Sequence, residues 1–226
     1  MNRAALFDVD GTLTDTNHLH VTSWWEAFRQ AGHDVSVHAI HRALGLPGED
    51  LLARLLGDGR DRSEDDALSA AHETLYGTFF DRLPRLDSAD ELLGLLDRRG
   101  WRVVLVTSAG SGEPKALRRA IDADDAPTAT ASSDDVEEGK PAPDPVHHAL
   151  ELADAPAHRA VFVGDTVWDM KAAARPGVTC VGLLCGGIPR HDLEEAGARA
   201  VYGDPADLLV RLDRSPFADA PQGADR

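Results

Sequence analysis

A chain of 226 residues has room for one or two domains and a sizeable core, and 42% hydrophobic with 27% charged residues is an ordinary globular composition. Its 39 acidic against 23 basic side chains leave a formal net charge of −16, which disfavours nucleic acid and anionic membranes as partners. No apolar run approaches a membrane span, residues 1–3 leave no room for a targeting segment, and two cysteines cannot build a four-cysteine zinc site, so the cytoplasm is the expected location.

The first element is the apolar run at residues 4–7, which reads as a buried strand ending in Asp8 and Asp10, with Gly11 and Thr12 making a turn. Residues 15–86 carry helical spacing throughout and no strand. Leu19, Trp24, Phe28 and Ala31 mark one helix, residues 37–44 and 49–56 two shorter ones, and Leu68, Ala71, Leu75, Phe79 and Leu83 the apolar stripe of a long one starting at Ser63. Ser63 with Asp66 forms an approximate capping box, and Ser88 with Glu91 forms another before the next helix. From residue 87 strands and helices alternate. Strands are expected at 101–106, 129–132, 160–163, 178–182 and 200–202, and helices near 113–121, 145–153, 170–174, 192–196 and 205–212. Such alternation implies an α/β fold, a Rossmann-like doubly wound parallel sheet, with the helical stretch inserted after the first strand. The expected division is a core of 1–14 and 87–214, a helical unit of 15–86, and a disordered tail of 215–226 rich in Pro, Gly, Ala and Asp.

The chemistry-bearing residues fall at strand ends. In an extended backbone Asp8 and Asp10 point the same way, and two like charges held that close need a cation. A hard, oxygen-lined site suits Mg²⁺, and an ionised Asp beside it points to an aspartyl-phosphate intermediate; the plain alternative is a pair of turn-forming acids. Thr107 and Ser108 follow the strand at 101–106, where a hydroxyl and the amides of Ala109 and Gly110 can hold a phosphoryl oxygen or simply cap a helix. An acidic chain repels phosphate at long range, so a phosphate site must bring its own cation. Lys140, in the stiff run Gly139-Lys140-Pro141-Ala142-Pro143-Asp144, is the candidate. Asp165 and Asp169, four apart after the strand at 160–163, read as metal ligands or as an N-cap with a first-turn acid.

Asp8-Val9-Asp10-Gly11-Thr12-Leu13, Thr107, Lys140 and Asp165 with Asp169 resemble, in order and strand context, the four signatures of the haloacid dehalogenase superfamily. The helical insert is similar to that family's first cap type, and the nearest branches are phosphoglycolate phosphatase-like and β-phosphoglucomutase-like. The resemblance implies Asp8 as nucleophile and Asp10 as general acid/base. It implies Mg²⁺ held by Asp8, the Asp10 carbonyl and Asp165, with Asp169 close by. A second acid at Asp10 argues for phosphate esters rather than dehalogenation, because the leaving alkoxide needs a proton. Asn17 and His20, at the first hinge, occupy positions facing the site in capped phosphatases; the plain alternative for His20 is packing on Trp24. Arg42 and the loop 45–48 resemble the region where such enzymes choose substrates. The expected activity is Mg²⁺-dependent hydrolysis of a small phosphorylated metabolite, phosphoglycolate-like or a sugar phosphate, by a monomer or homodimer. A sugar-phosphate mutase and a non-catalytic phosphometabolite binder are the rival readings.

Overall fold

The computed structural model describes residues 2–108, 113–122 and 126–218, the side chains of Thr128 and Asp134 excepted. The strands are β1 (Arg3–Phe7), β2 (Trp101–Val106), β3 (Pro127–Ala131), β4 (Ala160–Gly164), β5 (Thr179–Leu183) and β6 (Ala198–Tyr202). They form one parallel sheet in the order β3-β2-β1-β4-β5-β6. The helices are α1 (Asn17–Gln30), α2 (Val37–Ala43), α3 (Gly48–Leu56), α4 (Asp65–Gly77), α5 (Ala89–Arg98), α6 (Glu113–Ile121), α7 (Asp144–Ala153), α8 (Val167–Ala174), α9 (Arg190–Glu195) and α10 (Pro205–Val210).

The central strands β1, β4 and β5 are buried on both faces, which is why they read as continuous apolar runs rather than alternating ones. Their side chains still alternate between two cores. Ala5, Phe7, Val103 and Leu105 face α5 and α6, whereas Ala4, Leu6, Val104 and Val106 face α7 and α8. A third apolar cluster, built from Trp24, Phe28, Ile40, Leu51, Leu52 and Leu68, lies within the inserted helices. The insert leaves and returns through one neck. Thr14 pairs antiparallel with Arg85, Asp15 N donates to Pro84 O (2.9 Å), and Leu86 N donates to Leu13 O (3.0 Å).

Three local expectations need correction. The buried stripe of α4 is Leu68, His72 and Tyr76 rather than Leu68, Ala71 and Leu75, because the aromatic side of the helix, not its aliphatic one, meets α1. Ser63 and Ser88 make no side-chain caps. Asp61 accepts from Ser63 N instead, and Ser88 sits at φ +60 in a left-handed turn. The start of the presumed disordered tail is packed. Phe217 is 1% exposed, lies parallel to Phe7 with ring centroids 6.2 Å apart, and meets Trp101 edge-on at 5.1 Å. Burial of one large ring outweighs the surrounding polar composition. Residues 219–226 lie outside those described.

Candidate active site

The strand order reverses at β1, flanked by β2 and β4, and in open α/β sheets the crevice at such a point, beyond the carboxyl ends of the strands, is where ligands bind. Four segments converge there. Asp8 extends the β1 ladder by one residue, its amide donating to Val163 O (2.9 Å). Gly11, at φ +77, then turns the chain so that Thr12 Oγ1 donates to Asp165 Oδ1 (3.1 Å). A side chain at Gly11 would strike Asn17 and Asp165, so the turn requires glycine on both conformational and steric grounds.

Lys140 is 1% exposed; its ammonium donates to Asp8 Oδ1 (2.5 Å) and Val106 O (3.1 Å) and forms an ion pair with Asp169 Oδ1 (2.8 Å). Burial works against its charge, but Asp169 and Asp8 outweigh burial and raise its pKa. Asp169 Oδ2 accepts from Thr166 N (3.0 Å) and Thr166 Oγ1 (2.6 Å), the capping box of α8. Asp165 is held by Thr12 and by Asn17 Nδ2 (2.8 Å). The loop after β5 closes over it so tightly that a Cβ on Gly186 would overlap the carboxylate.

Asp8, Asp165 and Asp169 present carboxylate oxygens all within 4.8 Å of one another. One ammonium against three buried carboxylates leaves the group short of positive charge. Burial and the neighbouring Asp169 accordingly push Asp8 well above the usual carboxylate range and Asp165 up to about 7. An all-oxygen donor set with surplus negative charge fits a hard divalent cation.

The Asp10 carboxylate turns elsewhere. It accepts from Thr16 Oγ1 (2.6 Å) and lies 3.3 Å from His20 Nε2. Burial acts to raise its pKa, but His20 and Thr16 overcome that and lower it. Burial likewise opposes charge on His20, yet Asp10 and Glu113 raise its pKa. Glu113 Oε1 lies 3.4 Å from the same His20 nitrogen, and burial lifts the Glu113 carboxyl to about 7. His20 Nδ1 is 3.2 Å from His72 Nε2, and the His20 ring stacks on Tyr76 (3.8 Å) rather than on Trp24, which stacks on His72 (4.1 Å).

A cavity of about 360 Å³ opens from Asp8, Asp10, Asn17, His20 and Ser108, with its outer wall contributed by α3, α4 and the loop at 44–48. Ser108 Oγ donates to Gly45 O (3.1 Å), tying that loop to the sheet. Thr107 is buried at the end of β2, with its amide donating to Ala131 O (3.0 Å). Ala109 and Gly110 lie outside the described residues.

Arg42 is not brought to the cavity. It pairs with Asp192 (2.6 Å) on another face, because α2 turns it toward α9. Glu113, His72 and Gly186 were not singled out by sequence. Glu113 reads as a routine first-turn acid, His72 as a polar gap in a helix stripe, and Gly186 as a loop residue after a strand. No local pattern marks any of them.

A family model described as haloacid dehalogenase-like hydrolase matches residues 2–177. The chain belongs to that family. A hydrolase of Pseudomonas syringae superposes on this family member with a TM-score of 0.89 at 35% identity, over 94% of this chain and 99% of its own. A putative pyrophosphatase PpaX of Caldanaerobacter subterraneus subsp. tengcongensis is 28% identical over 188 residues, 82% of this chain and 83% of its own. A phosphoglycolate phosphatase of Colwellia psychrerythraea is 25% identical over 219 residues, 92% and 96% of the two chains. Among the described residues of this haloacid dehalogenase-like hydrolase, no helix is long and apolar enough to cross a membrane.

Proposed function

We propose that the chain is a Mg²⁺-dependent phosphatase acting on a small phosphorylated metabolite through a phosphoryl-Asp8 intermediate. The observation carrying this reading is the division of labour between two acids of one turn. The Asp8 carboxylate is tied to Lys140 and grouped with Asp165 and Asp169, whereas the Asp10 carboxylate is tied to His20 at the cavity wall. Asp8 attacks phosphorus, and the bond from phosphorus to the ester oxygen breaks. The Asp10–His20 pair, its facing atoms 3.3 Å apart, delivers a proton to the departing alkoxide. Asp10 then accepts a proton from water as that water attacks phosphorus, releasing phosphate and restoring Asp8. Lys140 screens the phosphoryl oxygens approaching a carboxylate, and Ser108 borders their path. Asp8, Asp165, Asp169 and the Asp10 carbonyl would hold Mg²⁺, which when bound neutralises charge on the transferring group. The insert plays the part of a cap that excludes water during transfer.

The test is phosphate release from an aryl phosphate with and without Mg²⁺. Asp8→Asn and metal chelation should each abolish turnover, by at least about 1,000-fold, while far-ultraviolet circular dichroism stays unchanged. Full activity in Asp8→Asn would refute the nucleophile.

A further inference from the structure

Resting on the phosphatase reading, a second question is what the phosphate is attached to. Beyond the phosphoryl end, the ionisable groups on the cavity wall are Glu113, Glu73 and Glu49 with His20 beside Glu113, and among the described residues no Lys or Arg lines it. Residues 109–112, which precede Glu113 in the sequence, are Ala-Gly-Ser-Gly and carry no charged side chain.

Three arginines of the insert are engaged away from the wall, and a fourth stays at its rim. Arg42 holds Asp192 (2.6 Å), Arg54 lies over the Trp168 ring (4.9 Å), and Arg60 forks onto Asp65 (2.9 and 2.7 Å). Arg62 meets Glu49 at 3.6 Å on the rim, where both side chains are mostly exposed. Residues 17–77 contain no lysine. His72 is kept neutral by burial, and His20 is already shared between Asp10 and Glu113.

Glu113 is the informative member. Its side chain is only 13% exposed, and its enclosed Oε1 accepts no hydrogen bond among the described residues, with only the long 3.4 Å contact to His20 Nε2. A buried acceptor in that condition wants a donor.

We propose that the alcohol this enzyme releases carries no second anion: it is a neutral or amine-bearing, donor-rich alcohol whose hydroxyl or ammonium groups meet Glu113 and Glu73. A carboxylate or second phosphate in that position would face Glu73 and Glu49 with no Lys or Arg among the described lining residues, and His20 is already committed to Asp10 and Glu113. A hydroxyl or ammonium makes charge-assisted hydrogen bonds to the same groups. The wall thus selects by repulsion as much as by contact.

The experiment uses the full chain with Mg²⁺ and two pairs of esters matched in size. Glycerol 3-phosphate against 3-phosphoglycerate exchanges a hydroxymethyl group for a carboxylate. Phosphoethanolamine against phosphoglycolate exchanges an aminomethyl group for a carboxylate. An aryl phosphate reports the chemistry by itself.

The neutral or amine member of each pair should show kcat/KM about 100-fold higher than its anionic partner. Which pair responds more strongly separates the hydroxyl from the ammonium. Glu73→Lys and Glu113→Gln should each narrow the ratio by raising the anionic member about 10-fold. Equal rates within pairs, or preference for the anionic members while the aryl phosphate is hydrolysed, would overturn the proposal. A chain inert toward the aryl phosphate would fail the phosphatase reading instead. Calorimetric titration of the same four esters would then judge charge selection alone, with equal affinities overturning it.

Discussion

Replacing Lys140 with methionine removes a charge while roughly keeping the volume of a side chain that is 1% exposed. The variant leaves Asp8, Asp165 and Asp169 buried within 4.8 Å of one another with no ammonium among them. Breaking a buried ion pair by deleting one partner costs about 3–5 kcal/mol, because the surviving charge remains desolvated. For a chain of this size that corresponds to a fall in Tm of roughly 6–20 °C. The sign of the pH effect follows from the carboxyls. Asp165 titrates at about 7 in the folded chain, above its unfolded value, so its contribution to stability is complete below the ordinary carboxylate range and is lost as pH rises to about 7. Asp8 shifts in the same direction. In Lys140→Met this loss should be steeper, and the deficit should be largest in chelator at pH 8, smaller at pH 5.5, and smaller again with saturating Mg²⁺. Thermal unfolding followed by near-ultraviolet circular dichroism measures all three. A Tm within about 2 °C of the parent in chelator at pH 8 would show that the ammonium does not offset these carboxylates.

His72 is 8% exposed, and burial, reinforced by His20, pushes its pKa down to about 2. A folded pKa below the unfolded one means that its stabilisation is present above about pH 6.5 and is lost progressively as pH falls from there towards about 2. His72→Phe should therefore lose less stability than the parent between pH 7.5 and 5, read from urea midpoints; an identical loss would rule out the buried neutral imidazole as its source. Phe217→Ala should cost about 3–5 kcal/mol in urea unfolding, since the ring is 1% exposed between Phe7 and Trp101. A change below about 1 kcal/mol would mean the ring is not held there in solution.

Parallel strands buried on both faces announce themselves as apolar runs, Val-rich in β2 and β4 and Ala-Leu-Phe in β1, and the residues just beyond them must cluster where the sheet reverses. That is why Asp8, Lys140, Asp165 and Asp169 could be grouped from sequence although they lie far apart along it. The helices of the insert were harder to read in phase. His72 and Tyr76 face inward because rings pack on rings, a preference invisible to a stripe of aliphatic residues. Arg42 was misplaced for a related reason, since spacing along a helix does not say which neighbour the helix will lean on. Phe217 was hidden by its surroundings, where one anchoring ring sits among residues typical of loose chain ends. Glu113 carried no signal of its own, because its setting is made by His20 from a distant helix.

The neck at Thr14 and Arg85 has a consequence for how this enzyme's parts relate. A detour whose two ends meet costs the surrounding chain only closure entropy, and doubling its length adds only about 0.6 kcal/mol. The sheet therefore imposes little on the detour's contents. In the proposed reaction the groups that touch phosphorus belong to the scaffold, whereas most of the wall facing the rest of the substrate belongs to the excursion, so reagent and taste would be encoded by separable stretches of one polypeptide.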